Sequence, residues 1–580
     1  MPDIDTYGDV RATTHRNGDD LLSAGLGLRG LAGVLASFAD AVSPTPAELR
    51  RRAIQSSWKG IADLGRKGGF GSVYGAVPDV PGREYTTFAQ LTGAMAPHRV
   101  LVQVPDGFDR KRRCLVVTAS SGSRGIYGAI ALAGGWGLPR GCAVAYTDKG
   151  GGAGYFDTTD DTGVALDGTR RRIGETRLEF EPASPARDAG IAVKHAHSGD
   201  HPEADWGRHV LQAAHFGLAM LDRAFPDEAP FTPGNTTIIA TGISNGGGAV
   251  LRAAGEDVDG LLDAVVALEP NIHVEGQGRP FFDYGTEAGL WLPAAMASSR
   301  FDALPFARVG ITQPPAWGLR ATSLRAHGRL AAMLPARWAD EALERLVERG
   351  WREEAFAAAA CSTALDLWRV IAAPYASAYL RRPVGEMPLG FLYKAPRGLP
   401  GESAIRAAWW SDGAGLPPGP GIVLEGGTDL SMDPLLPGQM ALEGLWAGQG
   451  DDAAMLRQAV EMTAAALPRG GLPVIVVHGA ADGLIPATFA SDPYVRWLRA
   501  EGRAPVYWRV PHAQHFDAFL SFPEFGDLFV PLLPYGYAAL DRALAHVAQG
   551  RALPEDAAVR DARPRGRGML TADALGLSLS

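Results

Sequence analysis

The residues best suited to chemistry are a serine, an aspartate and a histidine that follow one another along the chain at wide spacing. Residues 237–248 read TIIATGISNGGG, with Ser244 between Gly242 and Gly246 and a helical AVLRAA after them. An apolar run, a Gly-x-Ser-x-Gly turn and a helix are the setting in which a serine sits on a sharp strand-to-helix bend. Its hydroxyl is exposed there above a helix N-terminus that favours developing negative charge. A serine hydroxyl is a weak nucleophile until a base removes its proton, and that base needs a carboxylate to fix its tautomer and offset the imidazolium that forms. VVHGAADGLIP puts Asp482 just past an apolar run, and VPHAQHFDAF puts His515 just past the next. His512 is a rival base three residues upstream. Asp517 is too close to His515 in sequence to be the better orienting acid, and Asp429 and Asp433 fall in a different part of the chain.

The order Ser, Asp, His is that of the α/β-hydrolase arrangement. Acyl transfer also needs N–H donors aimed where the oxyanion develops. One is expected from Asn245, the residue after the serine, and a second from the small Ser/Gly loop of CLVVTASSGSRG, with Ser121, Gly122 and Ser123 as candidates. Arg124 and Lys149 each follow a strand-like run and are the candidate cations for an anionic end of a substrate. Two further patterns lead elsewhere. LGRKGGFGSVYG at 64–75 resembles a kinase glycine-rich loop, yet the strand lysine, HRD and DFG that kinase chemistry needs are missing from the sequence. His195, His197 and His201 lie near Asp200, Glu203 and Asp205 but match no standard zinc spacing, so neither a metal nor an organic cofactor is expected.

These side chains need a sheet to carry them. Arg99–Val104, Cys114–Ala119, Ala143–Thr147, Thr237–Thr241 and Ala264–Leu268 are short apolar or β-branched runs bounded by turn residues, as expected of strands, several buried on both faces. Trp206–Phe225 has helical spacing of apolar residues ahead of Pro226 and suits a crossover helix. The rhythm resumes with Pro473–His478, a helix at Tyr494–Glu501, a strand at Val506–Val510 and a helix near Tyr537–Gln549. Far more chain separates Ser244 from Asp482 than two βα units of about 30 residues need. The expectation is therefore an α/β fold with a mostly parallel sheet and a large, mainly helical cap, including helices at Ala336–Arg349 and Glu353–Ile371 and a loop at Gly413–Gly421. The boundaries expected are an N-terminal extension at 1–60, core at 61–274, cap at 275–468, core at 469–550 and a loose tail at 551–580, with Trp409 and Trp410 of the cap as candidates to line an acyl pocket.

At 580 residues, 46% hydrophobic and 21% charged, the composition is that of a folded globule. A net charge of −9 gives no basic footprint for nucleic acid. Cys114, Cys142 and Cys361 are odd in number and far apart, so no disulfide framework can be read from them. Met1-Pro2-Asp3-Ile4-Asp5 lacks the basic-then-apolar character of an export signal, and the apolar stretch 28–42 is broken by Arg29 and Asp40. As written the chain is expected in the cytoplasm and off the membrane; an extracellular or periplasmic protein with its signal removed would read the same.

VTASSGSRGIYGAIALAGGWGLPRGCAVAYTDKGGGAGYFD, AHSGDHPEADWG and TGISNGGGAVLRAA resemble the D-(−)-3-hydroxybutyrate oligomer hydrolase family, and the likeness runs from about residue 60 to about residue 550. The resemblance implies a serine esterase in polyhydroxybutyrate degradation, with the GISNGG serine as nucleophile and dimers or short oligomers of (R)-3-hydroxybutyrate as substrate. A more distant similarity runs to tannases and fungal feruloyl esterases, which makes such an esterase the alternative. The cysteines that flank the catalytic serine and histidine in that family are replaced here by Ile243 and Gln514. A second alternative is a hydrolase-fold binding protein without chemistry.

Overall fold

The structure, a computed structural model, describes residues 7–577 apart from 184–188, 305, 308–316, 414–420, 557–558 and 560. Its centre is a nine-stranded sheet. In chain order its strands are β1 (Arg11–His15), β2 (Gly82–Ala89), β3 (His98–Pro105), β4 (Cys114–Ala119), β5 (Ala143–Thr147), β6 (Thr237–Ile243), β7 (Ala264–Leu268), β8 (Val474–Gly479) and β9 (Val506–Val510). In space they run β1-β2-β3-β5-β4-β6-β7-β8-β9, antiparallel from β1 to β5 and parallel from β5 to β9. This is an α/β fold.

Alternation along a strand sends its side chains into two separate cores. On β4, Cys114 and Val116 join a core holding Trp58, Trp136 and Tyr537, while Leu115, Val117 and Ala119 join one holding Trp206, Val210 and Phe216. Helix α1 (Pro46–Ile61) covers the first face together with α8 (Leu533–Gln549). The second is covered by α2 (Pro202–Ala224) and α3 (Asn245–Glu256). Strands buried on both faces are apolar almost throughout, which is why β4, β5 and β7 coincide with the expected runs, while the edge strand β9 alternates between buried and more exposed positions.

Between β7 and β8 the described chain is mainly helical and includes α4 (Phe281–Ala295), α5 (Trp338–Glu348), α6 (Glu353–Ala364) and α7 (Leu367–Tyr379). The single helix expected over 353–371 is two helices bent by 73°. The bend falls at Leu365 and Asp366, the latter in the left-handed region at φ 52°, where an aspartate is better tolerated than most side chains. That turn carries Leu367, Ile371, Pro374 and Tyr375 over the cavity that holds Ser244 and His515. Most of the loop expected at 413–421 lies outside the described residues.

The N-terminal stretch does not stand apart as an extension. β1 pairs with β2, and α1 opens with Pro46 after a capping box in which Thr45 and Glu48 bond each other's backbone N–H. The far end of α1 brings Lys59, Gly60 and Ile61 to the cavity wall. Nor is the described part of the tail loose throughout: Arg565 pairs with the buried Asp63 at 2.8 Å. Cys114 and Cys142 form a disulfide, leaving Cys361 as a free thiol. They immediately precede the paired residues Leu115 and Ala143 on adjacent parallel strands, so the sheet register brings them together. Spacing along the chain alone could not reveal this. Among the described residues no single helix is long and apolar enough to cross a membrane.

Candidate active site

β6 ends at Ile243, Ser244 takes φ 61° and ψ −126°, and α3 starts at Asn245. The reversal leaves no room for side chains on either flank. A Cβ on Gly242 would lie 2.3 Å from the Gly246 carbonyl oxygen, and one on Gly246 would lie 2.3 Å from that of Ala119. Ser244 is fixed at both ends of its own peptide units. Its N–H donates to Leu268 O, and its carbonyl accepts from Asn271 N, both at 3.0 Å.

Asp482 and His515 reach the serine from the loops after β8 and β9. The imidazole Nε2 of His515 lies 2.9 Å from Ser244 Oγ, and its Nδ1 lies 2.8 Å from Asp482 Oδ2. Asp482 is wholly buried, and its Oδ1 accepts the backbone N–H groups of Leu484 and Ile485, both at 2.8 Å. Burial alone would raise its pKa, but the imidazoles of His515 and His478 and the hydrogen bonds they offer hold the carboxyl well below the usual aspartate range. The His512 carbonyl accepts from the Val530 N–H, and His512 is not part of this chain of bonds. Asp517 accepts from Leu532 N and Leu533 N, and Asp433 is paired with Arg320.

Ser121, Gly122, Ser123 and Asn245 all line a cavity of about 440 Å³ that also contains Ser244 and His515. Gly122 faces Asn245 so closely that a Cβ on it would lie 2.6 Å from Asn245 Nδ2. The Asn245 side chain is itself held: its Oδ1 accepts from Tyr375 OH at 2.9 Å and from Asn271 Nδ2 at 3.2 Å. Tyr375 OH in turn accepts from Lys149 Nζ at 3.0 Å, and Lys149 is ion-paired with Glu203, which also takes His195 Nε2 at 2.6 Å. A run of bonds therefore links the helical segment, through Tyr375, to Asn245, the residue after Ser244.

That network corrects the expectation for Lys149. Its charge is spent on a buried glutamate, and it is not among the residues lining the cavity. Arg124 does line it and has no carboxylate partner among the described residues. Its guanidinium donates to the carbonyls of Ser56, Gly60 and Gly413, and burial pushes its pKa down to about 10. Trp409 and Trp410 are not in the cavity wall; they pack on Tyr155 and Tyr127. The apolar wall comes from Leu484, Phe516, Phe519, Leu367 and Ile371.

The histidines near residue 200 are dispersed into separate bonds: His195 to Glu203, His197 accepting from Val193 N, and His201 to the Ala459 carbonyl. Residues 64–75 form a glycine turn whose Phe70 packs on Trp58 and Tyr74. Among the described residues one group could offer three metal-binding atoms, Glu269, Asp482 and His515, within 4.8 Å of one another. A cation there would have to break the His515–Asp482 bond. Sequence reasoning missed Tyr375 and Glu269, and it named Glu203 without its pairing to Lys149. Glu269 follows β7 directly, so its position past a buried apolar run was the available signal.

A serine on a strand-to-helix bend of a mostly parallel sheet, with a histidine on its hydroxyl and an apolar cavity above, defines the class as an α/β ester hydrolase. The sequence matches the 3HB-oligomer hydrolase family over residues 4–579. It is 35% identical to the D-(−)-3-hydroxybutyrate oligomer hydrolase of Paracidovorax citrulli, across 96% of this chain and 89% of that protein. It is 34% identical to the protein of that name from Cupriavidus metallidurans, across 95% of this chain and 85% of the other. The chain belongs to the 3HB-oligomer hydrolase family. Feruloyl esterase B from Aspergillus oryzae overlays on 94% of this chain and 88% of its own at a TM-score of 0.39 and 13% identity, a likeness too remote to bear on activity.

Proposed function

We propose that this protein hydrolyses dimers and short oligomers of (R)-3-hydroxybutyrate through a covalent acyl-serine intermediate. The observation that carries the reading is the unbroken run from Ser244 Oγ to His515 Nε2 at 2.9 Å and from His515 Nδ1 to Asp482 Oδ2 at 2.8 Å. Ser244 attacks the ester carbonyl while His515 takes its proton, and Asp482 holds the imidazole in the tautomer that leaves Nε2 free. His515 then returns the proton to the departing alcohol oxygen. A water molecule, deprotonated by the same imidazole, attacks the 3-hydroxybutyryl ester of Ser244 and releases the acid. N–H groups of Asn245 and of the Ser121–Ser123 loop stabilise the oxyanion, each donor being worth roughly 3–4 kcal/mol in comparable serine hydrolases.

The substrate class rests on the names carried by the relatives and on the cavity's make-up. An apolar wall suits a short acyl chain, and Arg124 supplies a cation without a carboxylate partner for the acid end of an oligomer. The test is incubation of the purified chain with the dimer, the trimer and the polymer, with products resolved by mass spectrometry. Release of monomer from dimer and trimer, lost in Ser244→Ala, supports the proposal. Activity only on gallate or ferulate esters would move the chain to the tannase-like alternative, and inactivity on every ester, p-nitrophenyl butyrate included, would leave a binding protein.

A further inference from the structure

The mechanism above leaves one acidic side chain beside the histidine unused. Glu269, the residue after β7, is held at φ 36°, and its N–H donates to Val477 O at 2.7 Å. Its carboxyl is wholly buried, and neither oxygen has a hydrogen-bond partner. Oε1 lies 3.8 Å from His515 Nδ1, the same nitrogen that Asp482 holds. A buried carboxyl without partners costs about 1–3 kcal/mol relative to a satisfied one, so stability does not account for it.

We propose that Glu269 is a reserve acid of the triad, a positioning residue that replaces Asp482 as the anionic partner of His515 when the charge at 482 is removed. Two carboxylates so close to one imidazole cannot both ionise cheaply, so one carries a proton while the other carries the charge. Burial, then the charges of Asp482 and Asp517, raises the Glu269 carboxyl well above the ordinary glutamate range, while Asp482 is held low. The other titratable groups nearby are His515 itself, His478 beyond Asp482, and Asp517, whose own carboxyl burial pushes up to about 7 and which both variants below leave in place. In Asp482→Asn the repulsion disappears. Glu269 then gives its proton to solvent and closes from 3.8 Å to accept the Nδ1–H of His515, leaving Nε2 free to take the serine proton.

This rests on Ser244, His515 and Asp482 acting as a triad, and p-nitrophenyl butyrate separates it from the choice of natural substrate. Should wild type cleave that ester but no hydroxybutyrate oligomer, the substrate reading fails and the Glu269 test stands. The kcat of Asp482→Asn and of Asp482→Asn/Glu269→Gln is measured across pH 6 to about 10. The single variant should keep a residual rate that climbs with pH as Glu269 ionises. The double variant should lose that climb and fall at least about tenfold further, toward the roughly 10⁴-fold loss known where a lone triad aspartate is neutralised. A pH profile for Asp482→Asn that is flat above neutrality, or one identical in the two variants, overturns the proposal. The first of these outcomes needs only the single variant, so a misfolded double variant does not shield it.

Discussion

Replacing Glu203 with glutamine should expose what Lys149 is for. The Lys149 side chain is 1% exposed and that of Glu203 7%, so the pair is out of water. Burial by itself would lower the lysine pKa, but the glutamate outweighs it and raises that pKa, while the glutamate is held well below its usual range. Removing one partner of such a pair strands the other and costs about 3–5 kcal/mol, whereas removing both charges together is often close to neutral. At roughly 1 °C per kcal/mol for a chain this large, Glu203→Gln should melt about 3–4 °C below wild type. Lys149→Met/Glu203→Gln should recover most of that loss. Because Lys149 also steadies Tyr375, and Tyr375 the Asn245 side chain, Lys149→Met should lower kcat on the hydroxybutyrate dimer and on p-nitrophenyl butyrate by a similar factor. Calorimetry of the three variants and paired kinetics on the two esters read the two effects. A single variant melting within 1 °C of wild type, or a double variant no more stable than Glu203→Gln, would refute the buried-pair reasoning. A KM rise confined to the anionic dimer would return Lys149 to the role of substrate cation.

Arg124→Met should raise KM for the dimer about 10- to 100-fold, the worth of a charged hydrogen bond, with a much smaller effect on p-nitrophenyl butyrate; equal effects on both would remove the carboxylate anchor. Glu269→Gln should gain stability relative to wild type as pH rises above about 4.3. The folded wild-type state holds a proton there that the unfolded chain has already lost, so wild-type stability falls by up to about 1.4 kcal/mol per pH unit until the raised folded pKa is passed. Denaturant melts of both at several pH values check this, and a constant difference would contradict the raised carboxyl. Unreduced, denatured protein should titrate one thiol, Cys361, and loss of the Cys114–Cys142 bridge should cost about 3–4 kcal/mol for its sequence separation of 28; three thiols would exclude the bridge.

How much of this was legible depended on whether the cause was local. Strands buried on both faces announce themselves as short apolar runs, and the strained bend at Ser244 requires glycines on each side, so β4, β6 and the elbow could be read directly. Asp482 and His515 were recognisable because each follows such a run in the order the fold demands. Side chains defined by a distant partner were not. Lys149 looked like a free cation because Glu203 joins it only through packing of α2 against the sheet. The Cys114–Cys142 pair depends on strand register, and Tyr375 reaches Asn245 only because the helical segment bends at Asp366. Glu269 looked like a strand end, and only its burial beside His515 distinguishes it from one.

The most direct measurement is an acid quench of the wild-type chain during turnover of the (R)-3-hydroxybutyrate dimer, followed by peptide mass mapping. A 3-hydroxybutyryl ester on the peptide bearing Ser244, missing in Ser244→Ala together with turnover, is the predicted result. Turnover that persists in Ser244→Ala, or an acyl group found on another residue, would contradict the serine mechanism.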